Sequence, residues 1–147
     1  MSVLFTDVMT IYNYHKQAGD TPEGWRRHVV RGVQWVHGKR RMTVTGGVQT
    51  EERVEEITVD FTRRYDRPEY VEPVKYRQME PEERAACWTL DASHGLDVLV
   101  YGETPEEITC EADIDRLREM YQYVTIVTDV ADRRNRPRLK HISVVAK

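Results

Sequence analysis

WRRHVVRGVQWVH, residues 25–37, is the stretch that decides the fold. From its middle onward the side chains alternate. Val29, Arg31, Val33 and Trp35 fall on one face, with His28, Val30, Gln34 and Val36 on the other. A period of two is that of a strand, and this one is long. Gly32 sits inside it. A glycine within a strand marks a bulge or a sharp bend, the device that lets a sheet curl on itself.

The neighbouring segments repeat the pattern. Val8 to Tyr14 is rich in β-branched and aromatic residues and reads as a strand. A turn is expected at Ala18 to Gly24, where Gly19, Asp20, Pro22 and Gly24 gather. Met42 to Thr45, Gly46-Gly47 and Val48 to Thr50 form the pattern of a hairpin with a glycine turn. In Arg53 to Arg63, Ile57, Val59 and Phe61 oppose Thr58, Asp60 and Thr62. Such alternation fits an antiparallel sheet with one wet face. Arg64 to Arg77, with Pro68, Pro73 and three tyrosines, reads as a long irregular connection.

Further on, Glu80 to Ala86 reads as a short helix with proline in its first turn. Cys87 to Leu90 and Leu96 to Tyr101 are expected strands around a turn at Ser93 to Gly95. A turn at Thr104 to Glu107 leads into Ile108 to Cys110. Ile114, Leu117, Met120 and Tyr121 form one stripe of a second short helix. Tyr123 to Val130 and Lys140 to Ala146 are the last strands. With no βαβ rhythm, the chain reads as mainly β, a small antiparallel β-barrel or sandwich with one or two short helices. The barrel is the expectation carried forward: one domain over residues 1–147, with long loops at about 37–52 and 64–86.

Lys and Arg total 22 against 25 Asp and Glu, a net charge of −3, so a general nucleic-acid binder is not indicated. The charges cluster all the same. Lys39, Arg40 and Arg41 are consecutive, and Arg133, Arg134, Arg136, Arg138 and Lys140 crowd one segment. Glu51, Glu52, Glu55 and Glu56 form an acidic block. Patches of opposite sign steer and register partner subunits, and a solvated surface is the plain alternative. The basic segment could touch phosphate or an acidic neighbour. It lacks the interleaved aromatics of a single-strand platform.

Cys87 and Cys110 belong to no CxxC pair, as suits a reducing cytosol. No signal peptide or spanning apolar run is expected. None of His15, His28, His37, His94 and His141 has metal-ligand spacing. Asp91, Ser93 and His94 carry the residue types of a catalytic triad, but triad members converge from separate segments. The group reads instead as a turn in which Asp and Ser bond local amides. Asp113 is expected to help cap the following helix. Catalytic residues, metals and cofactors are therefore not expected. A small-ligand module or β-barrel enzyme would need a deep pocket, which Trp25, Trp35, Trp88 and the tyrosines could line.

These segments resemble small phage and prophage proteins encoded among the head–tail joining genes. The likeness is carried by Asp7 to Asn13 (DVMTIYN), Trp25 to Trp35 and Asp97 to Glu103 (DVLVYGE). Thr125 to Arg133, with Asp132, and the closing strand, with His141, Ile142, Val144 and Lys147, add to it. The middle is unmatched, and Ile142 stands where the family usually has Trp. The resemblance implies a head-closure, or stopper-type, connector subunit, located in the virion neck and made in the host cytoplasm. By implication it forms a homo-oligomeric ring between a portal or adaptor protein and tail proteins, close to DNA and away from any membrane. A tail-terminator or tail-tube-proximal ring protein is the alternative. The candidate channel loop is His37 to Glu52, with Lys39, Arg40, Arg41, Gly46 and Gly47. Residues 64–77 are a second candidate. The candidate ring interface is Arg133, Arg134, Arg136 and Arg138 with Glu51, Glu52, Glu55 and Glu56.

Overall fold

The computed structural model describes residues 5–17 and 19–147. Ala18, at the head of the expected first turn, lies outside the described residues. Six strands form one antiparallel sheet that closes on itself in the order β1-β2-β3-β8-β7-β6. They are β1 (Asp7–His15), β2 (Gly24–Thr45), β3 (Val48–Asp60), β6 (Val98–Tyr101), β7 (Val124–Arg133) and β8 (His141–Ala146). A separate pair, β4 (Glu69–Tyr70) and β5 (Cys87–Trp88), is parallel, unlike the expected pattern. Three short helices complete the fold: α1 (Pro73–Gln78), α2 (Pro81–Arg84) and α3 (Glu111–Met120).

Gly32 forms a bulge in β2. Asp7 pairs with Val33, but Val8 pairs with Arg31, so Gly32 is the extra residue of a bulge. Its φ of +78° is a conformation glycine enters freely. The bulge also corrects the expected faces of this strand. Strict alternation puts Val30 and Val33 on opposite faces. Both are wholly buried in the interior of the sheet, because the inserted residue shifts the period by one.

Met9, Ile11, Leu99, Ile57, Val59, Val127, Ile142 and Val144 fill the rest of that interior. The other face of β1 and β6 is also covered. Tyr12, Val98 and Val100 pack there under Ile114 and Leu117 of α3 and Ile108. Burial on both faces explains why VLV, at 98–100, is continuously apolar rather than alternating. Ile108 to Cys110 is not a strand; Ile108 anchors the segment that brings in α3.

Residues 61–97 cross one end of the closed sheet. Trp88, wholly buried, packs against Phe61 and Tyr70 there. The expected loop at 64–86 is thus a structured plug holding β4, α1 and α2. The helix α1 was missed because Pro68 and Pro73 read as loop residues. Pro73 instead occupies the first turn of α1, where a proline costs no hydrogen bond. The three tryptophans are buried, and of them Trp25 also lines an open recess with His15, Arg26 and His28. Their indole N–H groups donate to Leu96 O, Glu55 Oε1 and Pro68 O, respectively.

Candidate functional site

The long strands β2 and β3 run on past the closed sheet as a two-stranded arm. From Arg40↔Arg53 to Thr45↔Val48 the pairing is unbroken, and β8 pairs with β3 only at Glu55–Asp60. The arm reaches about 20 Å at the usual rise per residue. Gly46 and Gly47, at φ +58° and +81°, make its two-residue turn, and positive φ at both positions defines the type I′ hairpin. The expected loop at 37–52 is therefore ordered strand with both faces in solvent. Met42, Val44 and Val48 stand 58%, 64% and 64% exposed near its tip.

A second bulge fixes the root of the arm. Val36 pairs with Glu56 and Lys39 with Val54, leaving His37 and Gly38 opposite Glu55. Glu55 accepts the Gly38 N–H and the Trp35 indole N–H and meets His37 Nδ1 at 2.9 Å. His37 stacks on Tyr123 at 3.7 Å between centroids and meets the edge of Tyr101. Burial raises the Glu55 carboxyl, but the bonds from Gly38, His37 and Trp35 outweigh it and hold the group below its ordinary range. Glu55 is a buried structural acceptor, which takes it out of the candidate ring interface.

The clustered charges largely meet within the chain. Lys39 pairs with Glu56 at 2.6 Å, Arg40 with Glu51 at 3.1 Å and Glu52 with Lys147 at 2.8 Å. The pairs are exposed, so each adds little stability. Their consequence is electrostatic: Glu56 and Glu51 offset Lys39 and Arg40 on the same hairpin, while Glu52 turns to Lys147.

The basic turn lies at the other end. His141 pairs with Asp60, while Ala146 pairs with Glu55 beside the arm. Arg133, Arg136 and Arg138 are exposed around a shallow recess with Leu139 and His141. Arg134 is committed elsewhere. It binds Asp132 at 2.8 Å, meets Glu72 at 3.4 Å and lies over the Tyr70 ring at 4.7 Å. It clamps the plug to β7.

The group Asp91, Ser93 and His94 is a turn, as its sequence suggests. The Ser93 backbone N–H and hydroxyl both donate to Asp91 Oδ1, and His94 Nδ1 accepts the Leu96 N–H. Ser93 Oγ thus donates to the Asp91 carboxylate and not to the His94 imidazole. Asp113, at the third position of α3, accepts the Thr109 N–H and hydroxyl.

A family model described as a family of unknown function (DUF6751) matches residues 4–147. The chain belongs to that family. No curated protein and no solved structure matches this DUF6751 chain.

The role of Asp97, which the sequence offers only as the head of DVLVYGE, is visible in the structure alone. Asp97 is 1% exposed, yet it ties three segments together. It accepts Asn13 Nδ2 at 3.0 Å, Tyr14 N at 2.9 Å and Asp91 N at 3.0 Å. Asn13 also donates to Thr89 O and accepts the Thr89 N–H. The end of β1, the start of β6 and the exit of the plug thus share one buried polar knot. Among the described residues no group of three or more His, Cys, Asp and Glu is placed to hold a metal ion, and no helix is long and apolar enough to cross a membrane.

Proposed function

We propose that this DUF6751 chain is a structural subunit of a tailed-phage head–tail connector, a small β-barrel that assembles into a stopper-type ring. The observation that carries the reading is the arm. A two-stranded hairpin alone in water is marginally stable, and this one holds three apolar side chains in solvent. A neighbouring subunit or an adjoining ring would bury Met42, Val44 and Val48 and take up the exposed strand edges. From Arg40 to Arg53 the arm carries three arginines against Glu51 and Glu52, a net charge of +1, too weak a basic excess to favour phosphate over protein. If DNA lies nearby, Arg133, Arg136 and Arg138 at the opposite end are the better placed cations. The likeness of Asp7–Asn13, Trp25–Trp35 and Asp97–Glu103 to head–tail joining proteins supplies the location.

Replacing residues 41–52 by Asn-Gly keeps the Arg40↔Arg53 pair and a two-residue turn. The isolated variant is expected to unfold within about 2 °C of the parent, because the removed residues bury nothing in the core. It should nevertheless fail to restore infectious particles when the parental gene is deleted. Full complementation by the shortened chain would remove the arm from assembly and with it this reading.

A further inference from the structure

Beside the Asp97 knot, between the plug and the end of β1, lies a cavity of about 240 Å³. That is the volume of about eight waters. Tyr14, Tyr76 and His94 give it aromatic walls. Its polar groups are unevenly matched. Asp97 and Asp91 also line it; protein N–H and O–H groups occupy both Asp97 oxygens and Asp91 Oδ1, while Asp91 Oδ2 faces His94 Nε2 at 3.5 Å and Arg77 Nε at 3.8 Å. The donors are in surplus. Tyr76 is 2% exposed, and its hydroxyl has no hydrogen-bond partner. The Thr89 hydroxyl is equally buried, within reach of the Tyr70 phenol. Burial pushes the Tyr76 phenol up to about 12, so it keeps its proton as a donor. Lys16, Arg77 and Arg84 add cationic charge to the lining. Arg84 is fixed there by donating to Tyr76 O and Arg77 O.

A buried hydroxyl without a partner is costly in a folded protein. A ligand that accepts hydrogen bonds would relieve it, and one bearing negative charge would also meet the cations. A cationic ligand would meet three like charges, with only Asp91 Oδ2, already facing Arg77 and His94, open to it. We propose that this cavity binds a small planar organic carboxylate of about ten non-hydrogen atoms. The carboxylate accepts from Tyr76; Arg77, now 3.8 Å from Asp91 Oδ2, supplies the counter-charge; and the apolar body packs against the Tyr14–His94 edge-to-face pair. This site is independent of the arm and of any assembly role.

The probe is benzoate, titrated into the full chain and followed by amide chemical shifts. Benzamidine, of the same shape and opposite charge, is the control. Benzoate should give saturable shifts centred on Tyr76, Thr89 and His94, and benzamidine none. Tyr76→Phe deletes only the hydroxyl and should weaken benzoate about tenfold. Arg77→Gln, at an exposed position, should weaken it several-fold with thermal unfolding unchanged. This second variant decides the matter if Tyr76→Phe does not fold. The proposal is overturned if benzoate does not saturate, if benzamidine binds equally well, or if neither variant changes the affinity.

Discussion

Asp97→Ala is expected to unfold about 10–15 °C below the parent, a loss of about 3–5 kcal/mol. The truncation strips the acceptor from the amides of Tyr14 and Asp91 and from Asn13 Nδ2, all inside the fold. Each buried donor left without a partner costs about 1–3 kcal/mol. Asp97→Asn should fare little better, because a side-chain amide can turn only one oxygen toward three donors. The carboxyl also sets a pH dependence. Burial raises it from 3.8 to about 7, against the pull of the Tyr14, Asp91 and Asn13 donors. The folded chain then holds this proton more tightly than the unfolded chain does. The stability it contributes is fully present below about pH 4 and is lost as pH rises to about 7. The gap in unfolding free energy between parent and Asp97→Asn should therefore shrink by a few kcal/mol across that window. Thermal melts at half-unit pH steps would show it, and parallel curves for the two proteins would refute the assignment.

The second large effect is at Gly32. A Cβ there would stand 2.6 Å from Tyr65 Cδ2, in a backbone conformation of φ +78° that side chains avoid. Tyr65 cannot simply swing away. Its hydroxyl donates to Asp60 Oδ2 at 2.6 Å, and the Arg67 guanidinium lies 4.9 Å over its ring. Gly32→Ala should cost about 2–4 kcal/mol, part clash and part left-handed strain. A double-mutant cycle separates the two. Tyr65→Ala should recover the clash in the Gly32→Ala background and leave about 1–2 kcal/mol of backbone cost. Additive losses in the cycle would mean that the ring and the bulge are not coupled.

Gly32 also marks how far the sequence could be read. The strand and its bulge are visible in WRRHVVRGVQWVH, because a glycine interrupts an alternating run. The faces beyond the bulge are not, since the inserted residue swaps inside for outside. The arm was half legible. Gly46-Gly47 announces a hairpin, and its two-residue turn fixes the pairing of Arg40 with Arg53 and of Met42 with Glu51. That register already places the acidic block against the basic triple, so their partial offset could have been foreseen. Asp97 could not. Its partners Asn13 and Tyr14 are 84 and 83 residues away in the chain. The only local sign is a carboxylate abutting the apolar run VLV. The cavity is hidden for the same reason: its walls come from β1, α1 and the turn before β6, which only the closed sheet brings together.

The central claim is that this fold serves as a ring in a virion neck. Cryo-electron microscopy of phage particles purified from a strain whose genome carries the chain's gene tests it most directly. The account predicts a ring of this closed sheet at the head–tail junction, with Met42, Val44 and Val48 of each arm buried against a neighbour. A chain abundant in the lysate but missing from purified particles would contradict it.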